Sequence, residues 1–328
     1  MFDASVSTMR YGIIALVALM PIGWTPCAAQ TYPDRPVRLV VPFAPAGPND
    51  FLARLVGDKL SKIWEQPVVI DNRGGGATVI GTDAVAKAKP DGYTLLMVST
   101  STVVNPSLRK KLPYDTLKDF VPVIELAKSS GILVVHPSSP FKTVSDILAA
   151  AKKRPGALSF GSGGVGTATH LSGELLGIMG GVKLVHVPYR GAGPAMVDIL
   201  GDRIQMTFGA VQPTISYVKA GKLRAIAVSS LKRMPALPDV PTVAETVPGF
   251  EADGFWGISA PAGTPSDIVD KLNADIAHVL AMPAVQQQLE TQGFDSVGGS
   301  QEAFDKHFRA ELDKWSDVIQ RAGIARAD

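Results

Sequence analysis

The sequence predicts an α/β protein of two βα domains joined by a two-strand hinge, and two observations carry that prediction. From Val37 onward, short β-branched runs alternate with amphipathic stretches, the pattern of βαβ units with helices covering mostly parallel sheets. The chain has 328 residues, enough for two domains of about 100–150 residues each. A net charge of only +2 gives no reason to expect nucleic-acid binding, which usually shows a concentrated basic face.

The first element is a leader. Arg10 precedes the apolar run Tyr11–Met20, and small residues follow up to Cys27-Ala28-Ala29. That order matches a secretory signal peptide over residues 1–29, with translation starting at Met1 or Met9. The run is shorter than the roughly 20 apolar residues that span a bilayer. Cys27 reads as a small residue at position −3 of the cleavage site, because Trp24-Thr25-Pro26 lacks the pattern before a lipidated cysteine. A chain cleaved after Ala29 contains no cysteine, which excludes disulfides, thiolate nucleophiles and Cys-ligated metals.

Strands are expected at Val37–Phe43, Pro67–Asp71, Thr94–Ser99, Ile132–His136, Leu158–Gly161, Leu184–Pro188, Gln205–Phe208, Leu223–Ser229 and Trp256–Ala260. Helices are expected at Leu52–Trp64, Gly81–Ala88, Val144–Lys153, Ala168–Met179, Pro194–Gly201 and Pro213–Ala220. The last seventy or so residues read as mainly helical. Thr264 is the expected N-cap before Pro265, with Ile268, Leu272 and Ile276 on one stripe. A final helix from about Ser300 aligns Phe304, Phe308, Leu312, Trp315 and Ile319 as a core face. Loop-like composition at Glu125–Gly131 and Pro248–Gly254 marks two crossings between domains. The expected division is residues 30–128 and 253–328 for one domain and residues 129–252 for the other, as in hinged binding proteins.

Two strand-to-helix turns carry the candidate chemistry. One runs through Ala44-Pro45-Ala46-Gly47-Pro48-Asn49-Asp50, where Asn49 or Asp50 can cap the following helix. The other is Gly161-Ser162-Gly163-Gly164-Val165-Gly166-Thr167. Unpartnered first-turn amides and the helix dipole favour an anionic oxygen at each. Facing each other across a cleft, the two turns would hold one small acid. The second turn also fits a dinucleotide fingerprint, but the acidic residue expected about 20 positions later is absent: the chain reads His186-Val187-Pro188-Tyr189-Arg190.

With these turns in view, the sequence resembles the Bug-type extracytoplasmic receptors of tripartite tricarboxylate transporters. The resemblance rests on Tyr32-Pro33-Asp34-Arg35-Pro36, Val41-Pro42-Phe43, Asp71-Asn72-Arg73-Gly74-Gly75-Gly76 and Asp91-Gly92-Tyr93-Thr94-Leu95. It continues through Asn105-Pro106, Gly166-Thr167 with His170-Leu171, His186–Gly191, Pro238–Thr242 and Trp256-Gly257 to Ala260-Pro261. It implies a type 2 periplasmic-binding-protein fold with the ligand cleft between two βα domains and no catalysis. The implied ligands are di- or tricarboxylates, acidic amino acids or aromatic acids, held by amides, hydroxyls and bridging water. The implied contacts are Phe43, Ala44 and Gly47; Ser99, Thr100 and Ser101; and Ser162, Gly163, Gly166 and Thr167, with Tyr189 nearby. Ala46, Asn49, Asp50, His170, Arg190 and Phe208 complete the candidate set. One departure stands out: Ala46-Gly47-Pro48-Asn49 replaces the two glycines and hydroxyl residue that family members often carry before the aspartate.

Arg190 can pair with a distal ligand carboxylate or make a structural ion pair. Asp50 reads better as a brace for its loop, since a bare carboxylate repels an acid. His170 and Glu174 lie one helical turn apart, yet two ligands make a poor metal site, and His136, His186, His278 and His307 show no ligand spacing. No cofactor and no metal are expected. The expected partners are a small organic acid and membrane permease subunits, with the receptor a monomer in the periplasm. A sensory receptor is the alternative, and a secreted hydrolase a more distant one, since neither G-x-S-x-G nor H-E-x-x-H occurs.

Overall fold

The computed structural model describes Met1, Phe2, residues 32–45 and residues 47–327, with Gln212 as backbone alone. The expected signal peptide with Cys27, and Ala46 of the first turn, lie outside the described residues.

The chain opens with β1 (Val37–Val41), α1 (Pro48–Trp64), β2 (Val68–Asn72), α2 (Val79–Ala86), β3 (Thr94–Ser99), α3 (Thr100–Leu108) and β4 (Phe120–Ser129). It continues through β5 (Gly131–Val135), α4 (Val144–Lys153), β6 (Ser159–Ser162), α5 (Ala168–Gly180), β7 (Val185–Pro188) and α6 (Ala192–Leu200). Then follow β8 (Met206–Ala210), α7 (Val211–Lys219) and β9 (Arg224–Val228). It closes with β10 (Gly254–Pro261), α8 (Ser266–Leu280), α9 (Pro283–Thr291), β11 (Asp295–Gly298) and α10 (Gln301–Arg321).

Two sheets result. A six-stranded sheet has the order β11-β4-β10-β3-β1-β2, and a five-stranded sheet the order β7-β6-β8-β5-β9. In the first, β1 runs parallel to β2 and β3, whereas β10 is antiparallel to both β3 and β4. In the second, β6 is parallel to β7 and β8, and β5 is antiparallel to β8 and β9. The chain passes from one sheet to the other at Ser130 and returns across residues 229–253.

Both faces of the central strands are buried, which explains their unbroken apolar runs. Along β3, Leu95 and Met97 face a core under α1 and α8, while Leu96 and Val98 face the opposite side. That opposite core runs on through Val103 of α3, Phe304, Phe308 and Trp315 of α10 and Leu171 of α5 into the five-stranded half. Each sheet reverses its winding beside one strand, β1 in the first and β6 in the second. In open α/β sheets the crevice beyond the carboxyl ends at such a reversal is the usual binding place. Here those ends are the two glycine-containing turns.

Three expectations need correcting. Glu125–Ser129 is not loop but the second half of β4, tied to β10 and β11 on its two sides. Thr264 does not cap α8: its hydroxyl donates to Pro261 O at 2.7 Å, and the helix begins at Ser266 after Pro265. Neither Asn49 nor Asp50 caps α1, because Gly47 is the N-cap and both sit inside the first turn.

Candidate functional site

The first turn is clamped from behind. A Cβ on Gly74 would lie 3.2 Å from Ala44 N, so the glycine-rich segment after β2 presses against the backbone of Phe43 and Ala44. Asn72 Nδ2 donates to Asp50 Oδ1 at 2.9 Å and to Phe43 O at 3.3 Å, and Arg54 Nε donates to Asp50 Oδ2 at 2.9 Å. The buried Asp50 carboxylate therefore locks strand, turn and helix together. Beside it, Asn49 Oδ1 is buried without a hydrogen-bond partner among the described residues.

At the neighbouring strand end, Ser99 N–H donates to Thr102 Oγ1 at 3.2 Å, and Thr100 Oγ1 accepts from Phe255 N–H at 3.4 Å. Ser99 Oγ is buried at the start of α3, where Ser99 and Thr102 form a capping box. Ser101 is half-buried.

The second turn differs from the sequence expectation of free amides. Gly163 N–H donates to Thr169 Oγ1 at 3.0 Å, Gly164 N–H to Ser162 Oγ at 3.0 Å and Gly166 N–H to His170 Nδ1 at 3.1 Å. Thr167 Oγ1 caps α5, accepting from His170 N–H and donating to Gly164 O at 2.7 Å. Side chains from the loop and the first turn of α5 thus consume the loop's own donors. First-turn amides at the helix starts remain for a ligand.

His186, absent from the candidate set, turns out to belong beside this loop. Its Nε2 lies 2.6 Å from Ser162 Oγ, and its ring centroid is 3.9 Å from that of His170. Burial, with His170 adding to it, pushes His186 down to about 4, so the ring is neutral at physiological pH. Only the parallel pairing of Phe160 with His186 reveals this proximity, and strand pairing is not written in a single sequence.

His170, Glu174 and His186 together form a three-residue group of metal-ligand type. The hydrogen bonds argue against that use. Because His170 Nδ1 accepts from Gly166, its proton sits on Nε2, facing Glu174 Oε1 at 3.5 Å, and His170 has no lone pair to offer the group. His170 is a loop brace. Ser162 is fully buried, so a scissile carbonyl has no route to its hydroxyl.

Tyr189 points away: its hydroxyl donates to Asp198 Oδ2 at 2.7 Å, and burial with that carboxylate raises it to about 12. Its N–H donates to Ser162 O at 3.0 Å, which keeps the loops after β6 and β7 side by side. Arg190 is exposed and makes no ion pair among the described residues.

Two cavities meet at the turn between β8 and α7. One, of about 540 Å³, is lined by Gly47, Asp50, Phe51, Arg54 and Trp256 from the six-stranded half and by Ala210, Val211 and Pro213 from the other. The second, of about 380 Å³, is lined by Gly163, Thr169, Ala192, Met196, Thr207, Phe208 and Tyr217, and it shares Ala210 and Pro213 with the first. Gly47, Asp50, Gly163 and Phe208 are thus brought to one composite hollow. Ser99, Thr100, Ser101, Ser162, Gly166, Thr167, His170, Tyr189 and Arg190 line neither cavity. Reading the sequence missed Trp256 and Met196; the i, i+4 pair Asp50–Arg54 was the signal available for Arg54.

Comparison with known proteins agrees with this architecture. The family described as "Tripartite tricarboxylate transporter family receptor" matches residues 52–324. The chain belongs to that family. Protein BugT of Bordetella pertussis is 36% identical over 301 residues, which cover 91% of this chain and 92% of the relative. The structure of R. palustris Rpa4515 with adipate has a TM-score of 0.78 and 37% identity, covering 90% of this chain and 100% of the other. MatC of Rhodopseudomonas palustris with bound malate has a TM-score of 0.74 and 30% identity, covering 88% and 100%. This chain is therefore a Bug-type receptor with the α/β architecture of its periplasmic-binding relatives. Among the described residues no helix is long and apolar enough to cross a membrane.

Proposed function

We propose that this receptor captures a small carboxylate between its two halves and hands it to the membrane permease of a tripartite tricarboxylate-type transporter. The observation that carries this reading is the composite hollow, where Gly47 at the start of α1 and Gly163 and Ala192 beside the starts of α5 and α6 line adjoining cavities. Helix starts offer amide donors and partial positive charge to an anion without a salt bridge. Hydrogen bonds to a charged group contribute about 1.5–3 kcal/mol each, so a few of them support micromolar binding, about −8 kcal/mol. The relatives with adipate and malate hold acids of this class.

The two halves are then two domains, residues 30–128 with 253–328 and residues 129–252, closing on the ligand about the two crossing segments. Export by the N-terminal leader puts the receptor in the periplasm, where its permease is reached. Burial of Ser162 supports binding without turnover.

A thermal-shift screen of mono-, di- and tricarboxylates tests the proposal. At least one acid raises the melting temperature, and at 100 times its dissociation constant it adds about 2.7 kcal/mol to stability. A sugar or a cation that shifts the transition when no acid does refutes it.

A further inference from the structure

The 380 Å³ cavity is lined mainly by apolar side chains. Ala192 and Gly193, in the first turn of α6, stand at one end, next to Gly163. Leu200, the last residue of the same helix, lines the cavity too. Leu200 lies eight residue steps along the helix from Ala192, so the cavity follows α6 for about 12 Å. Between them its wall is Ala195, Met196 and Val197, with Phe208 and Tyr217 opposite.

Among the described residues, no lysine, arginine or histidine lines that wall to receive a second negative charge, and the Tyr217 hydroxyl is its one uncommitted side-chain donor. Its two threonine hydroxyls are already committed: Thr207 Oγ1 donates to Gly161 O at 2.9 Å, and Thr169 Oγ1 accepts from Gly163 N–H while paired with Thr167 Oγ1 at 3.0 Å. A carboxylate pushed toward Leu200 gives up part of its water against Met196, Val197 and Leu200 and meets no cation there, an unfavourable transfer. An alkyl or aryl group there gains from burial instead.

We infer that the ligand is a monocarboxylate with an apolar body: its carboxylate stays at the mouth, among the helix starts, and an aryl or medium-chain alkyl group runs along α6 toward Leu200. This rests on the carboxylate-receptor reading above and narrows it to acids whose far end is uncharged. Met196, Val197, Leu200, Phe208 and Tyr217 are the residues that set the specificity.

Calorimetric titration with butanoate, hexanoate and octanoate, alongside adipate and malate, tests the inference on the intact receptor. Affinity rises about fourfold for each methylene until the cavity is filled. Hexanoate outranks adipate, the acid of equal length with a second carboxylate, by tenfold or more. Gly193→Val provides the internal check, because Gly193 lines the cavity and a Cβ there meets no atom within 4 Å. The folded variant loses affinity for the longest acids by tenfold or more and no longer gains with chain length. If adipate or malate outranks hexanoate, or if Gly193→Val leaves the series unchanged, the inference falls while the receptor reading stands. If no acid binds at all, the receptor reading falls with it.

Discussion

At the scale of single residues, the clearest electrostatic device lies away from the cleft, where α10 meets β4. His307 Nδ1 is 3.0 Å from Glu125 Oε2, and its Nε2 is 3.7 Å from Glu311 Oε1. Glu311 also accepts from Trp315 Nε1 at 2.7 Å and pairs with Lys314. Burial alone would lower the histidine, but the two flanking carboxylates outweigh it and raise His307 to about 9. A folded-state value above the unfolded one, about 6.5, means that the charged ring stabilises the fold. That contribution is complete below about pH 6.5 and is lost as pH rises through about 9. His307→Gln should therefore destabilise by about 1–3 kcal/mol at pH 6, with the gap from wild type closing between pH 7 and 10 in urea titrations. A gap that stays constant with pH would refute the ion-pair account. Glu125 is also the residue that most misled the sequence reading. A buried glutamate in mid-strand looks like a loop until the histidine that partners it arrives from a helix 182 positions later.

At the scale of elements, legibility followed the locality of the cause. Strands such as β3, whose residues alternate between two cores, declare themselves by composition, and the start of α10 at Ser300 follows from its hydroxyl accepting from Ala303 N–H at 3.2 Å. α3 was invisible because Thr100-Ser101-Thr102-Val103-Val104 is poor helix sequence and Pro106 interrupts it; packing against α10 and the strand ends holds it. β11, four mostly exposed residues, exists only through its pairing with β4. For the site, the turns themselves were readable, but which of their donors are already consumed was not, since Thr169 and His170 act through geometry. Two glycines, Gly166 of the candidate set and Gly293 outside it, hold the halves in contact. Gly166, at φ +80°, packs on Leu108 of α3, and Gly293, at φ +75°, would place a Cβ 2.5 Å from Val211 Cγ1 of α7. Alanine at either pays the left-handed penalty of about 1–2 kcal/mol, and at Gly293 it also collides with a stiff β-branched side chain. Gly323, at φ +65° with no atom within 4 Å of an added Cβ, isolates the first effect from the second. Gly293→Ala should lower the unfolding free energy by at least 1 kcal/mol more than Gly323→Ala. Equal losses in denaturant titrations would mean that the contact across the halves carries no strain.

At the scale of the whole molecule, any closing motion about a ligand must pass through two chain crossings, and one hydroxyl joins them. Ser229 Oγ accepts from Gly131 N–H at 2.7 Å in the first crossing and donates to Asp253 Oδ1 at 2.8 Å in the second. Ser229 N–H also donates to Gly131 O at 2.9 Å, and Ala252 N–H donates to Ser229 O at 3.2 Å, so the crossings are laced together at the backbone as well. In the proposed closure about a ligand, crossings laced in this way would move as a unit while the sheets on either side stay rigid. The arrangement is not free of cost: burial, with Glu251 adding to it, raises the Asp253 carboxyl above its ordinary range. A raised carboxyl holds its proton in the folded protein at a pH where the unfolded chain has already released it. The ionised group therefore destabilises the fold, with no effect below about pH 4, the unfolded range, and a growing one as pH rises through the folded value. Asp253→Asn keeps an oxygen to accept from Ser229 and removes the charge. Its melting temperature should exceed that of the wild type at pH 7, and the two should converge near pH 4. An asparagine variant less stable than wild type at pH 7 would show that the Asp253 charge serves the hinge through a partner other than Ser229.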